Sequence, residues 1–271
     1  MHTDYTVIIP RRGINDEGKG KKHALHRLIL EAPSEYVHLM DDDVIPPPQL
    51  PDTQADLVIL PLRMESQREH PTIIEQLQTA EYAAIQALTI LSAQHGHPVM
   101  CSGANLLVRR NRWLESFPDI HPELPSGDDM FLLESFKRRR LTIAVADAPE
   151  YEAVVRPLTS LRDLLRQRMR WAGKAPAYHD RDILLCGTAV LLANLLQILF
   201  PPILLIKFPI ELHLIRSREK QTDTATCKHK QTRRIPFLII LLLELLYPLY
   251  MLTCLIGGIF KSRQKKESPS F

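Results

Sequence analysis

The chain has 271 residues, of which 45% are hydrophobic, 24% charged and 6% aromatic, with a formal net charge of +3. That length supplies one core of about 150 to 200 residues with sequence to spare, and the mild net charge argues against nucleic acid as a partner. Cys101, Cys186, Cys227 and Cys254 are far apart, which excludes a disulfide scaffold or a zinc-ligand spacing.

Residues 5–10 read as a first strand closed by Pro10, and the polar segment before it lacks the apolar stretch of a signal peptide. Residues 11–20 form a charged, glycine-bearing loop, and Ala24, Leu25, Leu28 and Ile29 give residues 21–30 helical spacing. Gly18-Lys19-Gly20-Lys21-Lys22 places lysines at that helix start, where phosphate is favoured, although the Walker spacing is absent. Tyr36 to Met40 is an apolar run that stops at Asp41-Asp42-Asp43 and then meets prolines, the pattern of a buried strand delivering charge into the loop at its carboxyl end. Open α/β sheets keep ligands there. Asp41 and Asp43, two apart, can share one hard divalent cation, whereas a solvated acidic loop is the bland alternative. Pro46 stands where an EF-hand loop wants glycine.

Residues 55–62 predict another strand, and His70-Pro71-Thr72 opens a long helix to about Gln94. His95-Gly96-His97-Pro98 reads as a turn rather than a metal site. Cys101-Ser102-Gly103-Ala104-Asn105 puts small residues before a strand, which admits a ligand close to the backbone, and Ser102 lacks the frame of a nucleophile elbow. Ser126-Gly127-Asp128-Asp129 opens a helix with two carboxylates, more than capping requires. Residues 141–148 predict a strand. Residues 159–173 predict a basic helix holding Arg162, Arg166, Gln167, Arg168, Arg170 and Trp171, which a lipid interface would equally suit.

Residues 183–206 carry no charge and residues 235–260 only Glu244, and each run exceeds the roughly 20 residues a helix needs to cross a bilayer. Arg216, Arg218, Lys220, Lys228, Lys230, Arg233 and Arg234 crowd the stretch between them, and Lys261, Arg263, Lys265 and Lys266 the tail. Such clusters face the cytoplasm and anionic lipid. The expected organisation is a catalytic domain over residues 1–175 and a membrane domain over residues 176–271, with apolar spans 183–206 and 235–260 and a basic loop 216–234. Pro201-Pro202 favours splitting the first span into a hairpin, with residues 202–215 returning.

Five motifs occur in one order: Gly20 and Lys21 with Ala24 and Leu25, then Asp41 and Asp43, Gly103 and Asn105, Gly127, Asp128 and Asp129, and Gln167, Arg170 and Trp171 ahead of apolar helices. In that order they resemble the family-2 glycosyltransferases, among them cellulose, chitin and hyaluronan synthases and the ceramide glucosyltransferase group. The resemblance implies an α/β, GT-A fold with a Rossmann-like, mostly parallel sheet followed by C-terminal transmembrane helices. Relatives begin with two strands before the glycine-lysine motif. Only residues 5–10 precede Gly18 here, so the sheet is expected to be N-terminally incomplete, from a shortened product or a start placed too far downstream.

The resemblance further implies Mg2+ or Mn2+ at Asp41 and Asp43 on a nucleotide-sugar donor, and Asp129 as general base with Asp128 as the alternative. Lys21, Gly103, Asn105, Gln167, Arg170 and Trp171 would bind substrate, Arg170 at the pyrophosphate and Trp171 as a flat face for sugar or acceptor. The acceptor would be a lipid or glycan, with inversion at the anomeric carbon. The protein would be integral to the cell or inner membrane, with its catalytic domain cytoplasmic. The competing expectation is a catalytically inactive, shortened relative serving as a binding or assembly partner.

Overall fold

The computed structural model describes residues 4–10, 20–124, 127–225 and 234–267. Gly18, Lys19, Ser126, Cys227, Lys228, Lys230 and Arg233, singled out above, lie outside the described residues.

The main sheet has five strands, β1 (Tyr5–Ile8), β2 (Tyr36–Leu39), β3 (Leu57–Ile59), β5 (Leu106–Arg109) and β6 (Ile143–Val145), in the order β1-β2-β5-β3-β6. β1 pairs with β2, and β3 with β6, in parallel, whereas β5 runs against both its neighbours. Four strands therefore share one direction. The central strands β2, β3 and β5 are buried on both faces. On one face Val37, Leu39, Leu57, Ile59, Leu106 and Val108 meet Leu25 and Ile29 of α1 (Lys21–Glu31), Trp113 of α3 (Arg110–Ser116) and Phe131, Leu132 and Phe136 of α4 (Asp128–Arg138). On the other, Tyr36, Val58, Leu60 and Leu107 form a second buried cluster.

The strand expected over residues 55–62 is split. Pro61 has no amide hydrogen for the ladder, and the chain passes from β3 to β4 (Leu62–Met64), which pairs in parallel with β7 (Ala153–Val155) as a small second sheet. α3 went unforeseen because its seven residues lack a clear apolar period. α2 (Ile73–Gln94) starts at a capping box: Thr72 Oγ1 accepts from the Glu75 amide at 3.3 Å, and the Thr72 amide donates to Glu75 Oε2 at 2.7 Å. α5 (Leu161–Ala172) is the basic helix.

Three further helices form a layer along α2 and α5. α6 (Arg181–Leu199) ends seven residues before the uncharged run does, because Phe200 leaves helical geometry and Pro201-Pro202 cannot continue the ladder. The chain then doubles back into α7 (Leu204–Ala225), so that Lys207 lies beside Asn194 and Gln197 of α6. The basic stretch 216–234, expected as a loop, is thus helical as far as Ala225. α8 (Phe237–Glu267) packs Ile240 and Leu243, with Ile215 of α7, on Ala80 of α2. Arg181–Leu199 and the Phe237–Phe260 part of α8 are long and apolar enough to cross a membrane. Leu192, Leu196, Leu238, Leu245, Leu249 and Ile256 leave the layer's outer surface apolar, which favours membrane association.

Inside the layer, Lys207 Nζ reaches Glu244 Oε1 at 2.6 Å, Asn194 Oδ1 at 3.1 Å, Gln197 Oε1 at 3.0 Å and Glu211 Oε1 at 3.3 Å, joining all three helices. Glu244→Leu leaves the buried ammonium with a single carboxylate partner. It is expected to cost about 3 kcal/mol, against less than half of that for Glu244→Gln, which keeps an acceptor. Chemical denaturation in detergent measures both, and a negligible cost in both variants would show that the pair does not hold the layer.

Candidate active site

Two adjacent lysines leave the start of α1 in opposite directions. Gly20 has φ +90°, a conformation open to glycine, and the helix begins immediately after it. Lys22 turns inward, where its Nζ donates to the carbonyls of Ile120 at 2.6 Å and His121 at 2.7 Å and sits 5.0 Å from the Phe131 ring centre. Burial pushes its pKa down to about 8, against the pull of Asp128. Lys21 is thereby directed to the carboxyl ends of the strands. Its Nζ donates to Asp41 Oδ1 at 2.6 Å and lies 3.6 Å from Asp128 Oδ2. Burial opposes its charge, but Asp128, Asp41 and Asp129 outweigh that and raise its pKa.

The acidic turn is set by backbone bonds on both sides. The Met40 amide donates to Ile8 O at 3.1 Å, the Val44 amide closes on Asp41 O at 3.3 Å, and Ile45 exchanges two bonds with Val154 of β7. Asp41 is partly exposed, and Asp42 and Asp43 are exposed.

Asp128 and Asp129 open α4 behind Gly127, whose φ is +88°. The positive φ is what calls for glycine at 127; a Cβ there would also lie 2.9 Å from Lys174 Cδ and 3.1 Å from Phe131 Cε2 and would push the Lys174 side chain aside. Asp129 Oδ1 accepts from the Met130 amide at 2.8 Å, and Oδ2 from the Gly103 amide at 3.3 Å. Gly103 also allows α4 close: a Cβ there would lie 3.3 Å from Asp128 Oδ2. Burial and the Asp128 charge push the Asp129 pKa up, while Lys174, Lys21 and the Met130 amide offset only part of the rise.

The remaining sequence-predicted residues divide. Asn105 is buried and turned away from the carboxylates: its Nδ2 donates to Pro61 O at 2.8 Å and Tyr151 O at 2.9 Å, and its Oδ1 pairs with His38 Nε2 at 2.8 Å. Gln167 Oε1 accepts from Arg168 Nη1. Arg168 itself, 7% exposed, is bound to the equally buried Glu81 of α2 through Nη2 at 2.7 Å, and its guanidinium lies 4.2 Å from the Trp171 ring centre. One flank of the tryptophan is therefore taken, although the residue stays 39% exposed. Arg170 is exposed, and its charge is felt at Lys174.

Lys174 and Glu81 were not foreseen. Burial lowers the Lys174 pKa, Asp129 and Asp128 push back, and Arg170 and Lys21 add to the lowering. The signal in the sequence was slight, a Gly173-Lys174 pair closing a basic helix. Glu81, one of several polar residues buried along α2, gave no sign of a partner in α5.

The start of α1, the loop after β2, the start of α4 and the end of α5 thus bring three carboxylates and two lysines to one corner beside the Gly103 amide, at the ends of parallel strands. The corner can take an anionic group between its lysines and a proton on Asp129. The model of the family described as Glycosyltransferase like family 2 matches residues 6–174. No curated protein matches the sequence. The matched span contains every motif residue of the corner, and the α/β domain has the mostly parallel sheet of a GT-A fold. The chain belongs to the glycosyltransferases of family 2.

Proposed function

We propose that this glycosyltransferase is a membrane-bound, metal-dependent, inverting enzyme that moves a sugar from a nucleotide-sugar donor to a hydroxyl of a lipid or glycan acceptor. The observation that carries the reading is the meeting of Asp41, Asp128 and Asp129 around Lys21, with Lys174 on the α4 side.

Asp129 is the general base. It takes the proton of the acceptor hydroxyl as that oxygen bonds to the anomeric carbon from the face opposite the diphosphate, and the bond from that carbon to the phosphate oxygen breaks. Its raised pKa brings it nearer the operating pH than an exposed carboxylate. Lys21, Lys174 and Arg170 hold the negative charge gathering on the departing diphosphate. Trp171 offers its exposed edge to sugar or acceptor. Asn105 supports the site by tying β2, Pro61 and Tyr151 together, and Gly103 fixes the Asp129 carboxylate.

Among the described residues no three His, Cys, Asp or Glu side chains form a closed metal cage. Asp41 and Asp43, hard oxygen donors on a partly open turn, suit Mg2+ or Mn2+, which completes its shell with water and substrate phosphate. Bound there, the ion supplies Lewis-acid stabilisation of the leaving diphosphate. The α6–α8 layer seats the protein in the cell or inner membrane as an integral protein. Arg216, Arg218 and Arg234 beside the apolar segments favour a cytoplasmic α/β domain.

Transfer from a labelled nucleotide sugar to membrane lipid is expected to require Mn2+ or Mg2+, and Asp129→Asn is expected to lower it by about 10²- to 10⁴-fold. Undiminished turnover in that variant would remove Asp129 from the base role. Activity needs ionised Asp129, so the rate falls as pH drops through its raised pKa. Lys174→Met removes a charge that lowers that pKa and moves the acid limb to higher pH, whereas Asp128→Asn moves it lower. A pH profile of kcat/KM reads both shifts, and limbs that do not move would sever Asp129 from these neighbours.

A further inference from the structure

A helix outside the α/β domain reaches the carboxylate corner through residues in series. Gly258 of α8 lies against Gly173 at the end of α5. A Cβ on Gly258 would come within 2.5 Å of the Met169 carbonyl oxygen and 2.7 Å of the Gly173 nitrogen, and one on Gly173 within 2.8 Å of the Gly258 carbonyl oxygen. These neighbours are backbone, so neither position takes a side chain unless the two helices part. Gly257 differs: a Cβ there meets Met169 Cε at 2.8 Å and Sδ at 2.9 Å, atoms at the end of a side chain free to turn away. The residue after Gly173 is Lys174, packed over Gly127 immediately before Asp128 and Asp129. Arg170 and Trp171 lie within the turn before it.

We propose that the Gly173–Gly258 contact is a latch through which α8 sets the position of Lys174, and with it Arg170 and Trp171, against Asp128 and Asp129. α8 is then a positioning part of the enzyme as well as an anchor. The proposal rests on the transferase reading above. Its physical content is distance. A methyl group on either glycine forces α5 outward by an amount on the order of 1 Å, and misplacement of that size costs up to about 10²-fold in rate.

The test uses the full-length protein in membranes. Gly258→Ala and Gly173→Ala are expected to lower transfer at least about tenfold, whereas Gly257→Ala stays within about threefold because Met169 yields. Gly187→Ala, a site in α6 with nothing within 4 Å, is the control and keeps full activity. A latch acting through Lys174 together with Arg170 and Trp171 also predicts that Gly258→Ala costs less once Lys174 is Met than it does in the wild type, while general destabilisation adds its full loss in either background. Trp171 emission gives a readout independent of turnover, since Trp113, the only other tryptophan, is buried at 1% exposure. It shifts in Gly258→Ala and Gly173→Ala and not in Gly257→Ala. Wild-type transfer in either latch variant, or a full additional loss in the Lys174→Met background, overturns the latch. If the wild-type protein transfers no sugar, the transferase reading fails, and the emission pattern alone decides whether α8 positions α5.

Discussion

Lys21 stands between carboxylates from two distant parts of the chain, Asp41 after β2 and Asp128 at the start of α4, and this cation allows the two acidic loops to share a corner. Its pair with Asp41 is partly exposed on both sides, at 33% and 39%, and such a pair is worth at most about 1 kcal/mol. A bond that weak holds the loops together without locking them. In the proposed mechanism Asp41 would exchange the ammonium for a divalent cation bound with a diphosphate, which would leave Lys21 to the phosphate oxygens.

The scaffold behind the corner is built the other way. Arg168 and Glu81 are each 7% exposed, and removing one partner of such a pair costs about 3 to 5 kcal/mol. The pair fixes α5 to α2, Gln78 fixes the segment before α5 through two bonds with the backbone of Leu158, and the glycine seam fixes the end of α5 to α8. Rigid support therefore lies under the helix that presents Arg170, Trp171 and Lys174, and the weaker, partly exposed contacts lie at the carboxylate corner. The same division explains why Asn105 spends all its hydrogen bonds on protein: it belongs to the support, holding β2 and the loops at Pro61 and Tyr151 in register.

Much of this was legible in the amino-acid sequence where a local pattern dictates the outcome. The apolar run stopping at Asp41 marked a strand end, the Thr72 cap began α2, and Pro201-Pro202 broke the first apolar run. The glycine motifs lie beside the carboxylate corner, although the close approaches behind Gly103 and Gly127 emerge only from the packed helix α4. What stayed hidden depended on pairings far apart along the chain. Glu81 and Arg168 are 87 residues apart, and neither is unusual in its own helix. Lys174 looks like one more basic residue until α4 is folded beneath it. The split at Pro61 and the helical extension to Ala225 are tertiary outcomes of the same kind, set by β7 and by the packing of α7 on α2.

The central claim is that carboxylates and lysines from separate segments form one diphosphate site, and binding measures it most directly. Calorimetric titration of the full-length protein in detergent with UDP, GDP and ADP, with and without Mn2+, is expected to show saturable binding of one nucleotide that Mn2+ strengthens. Lys21→Met and Lys174→Met should each weaken it about tenfold or more. Absence of binding by all three nucleotides, or wild-type affinity in both lysine variants, would contradict the account.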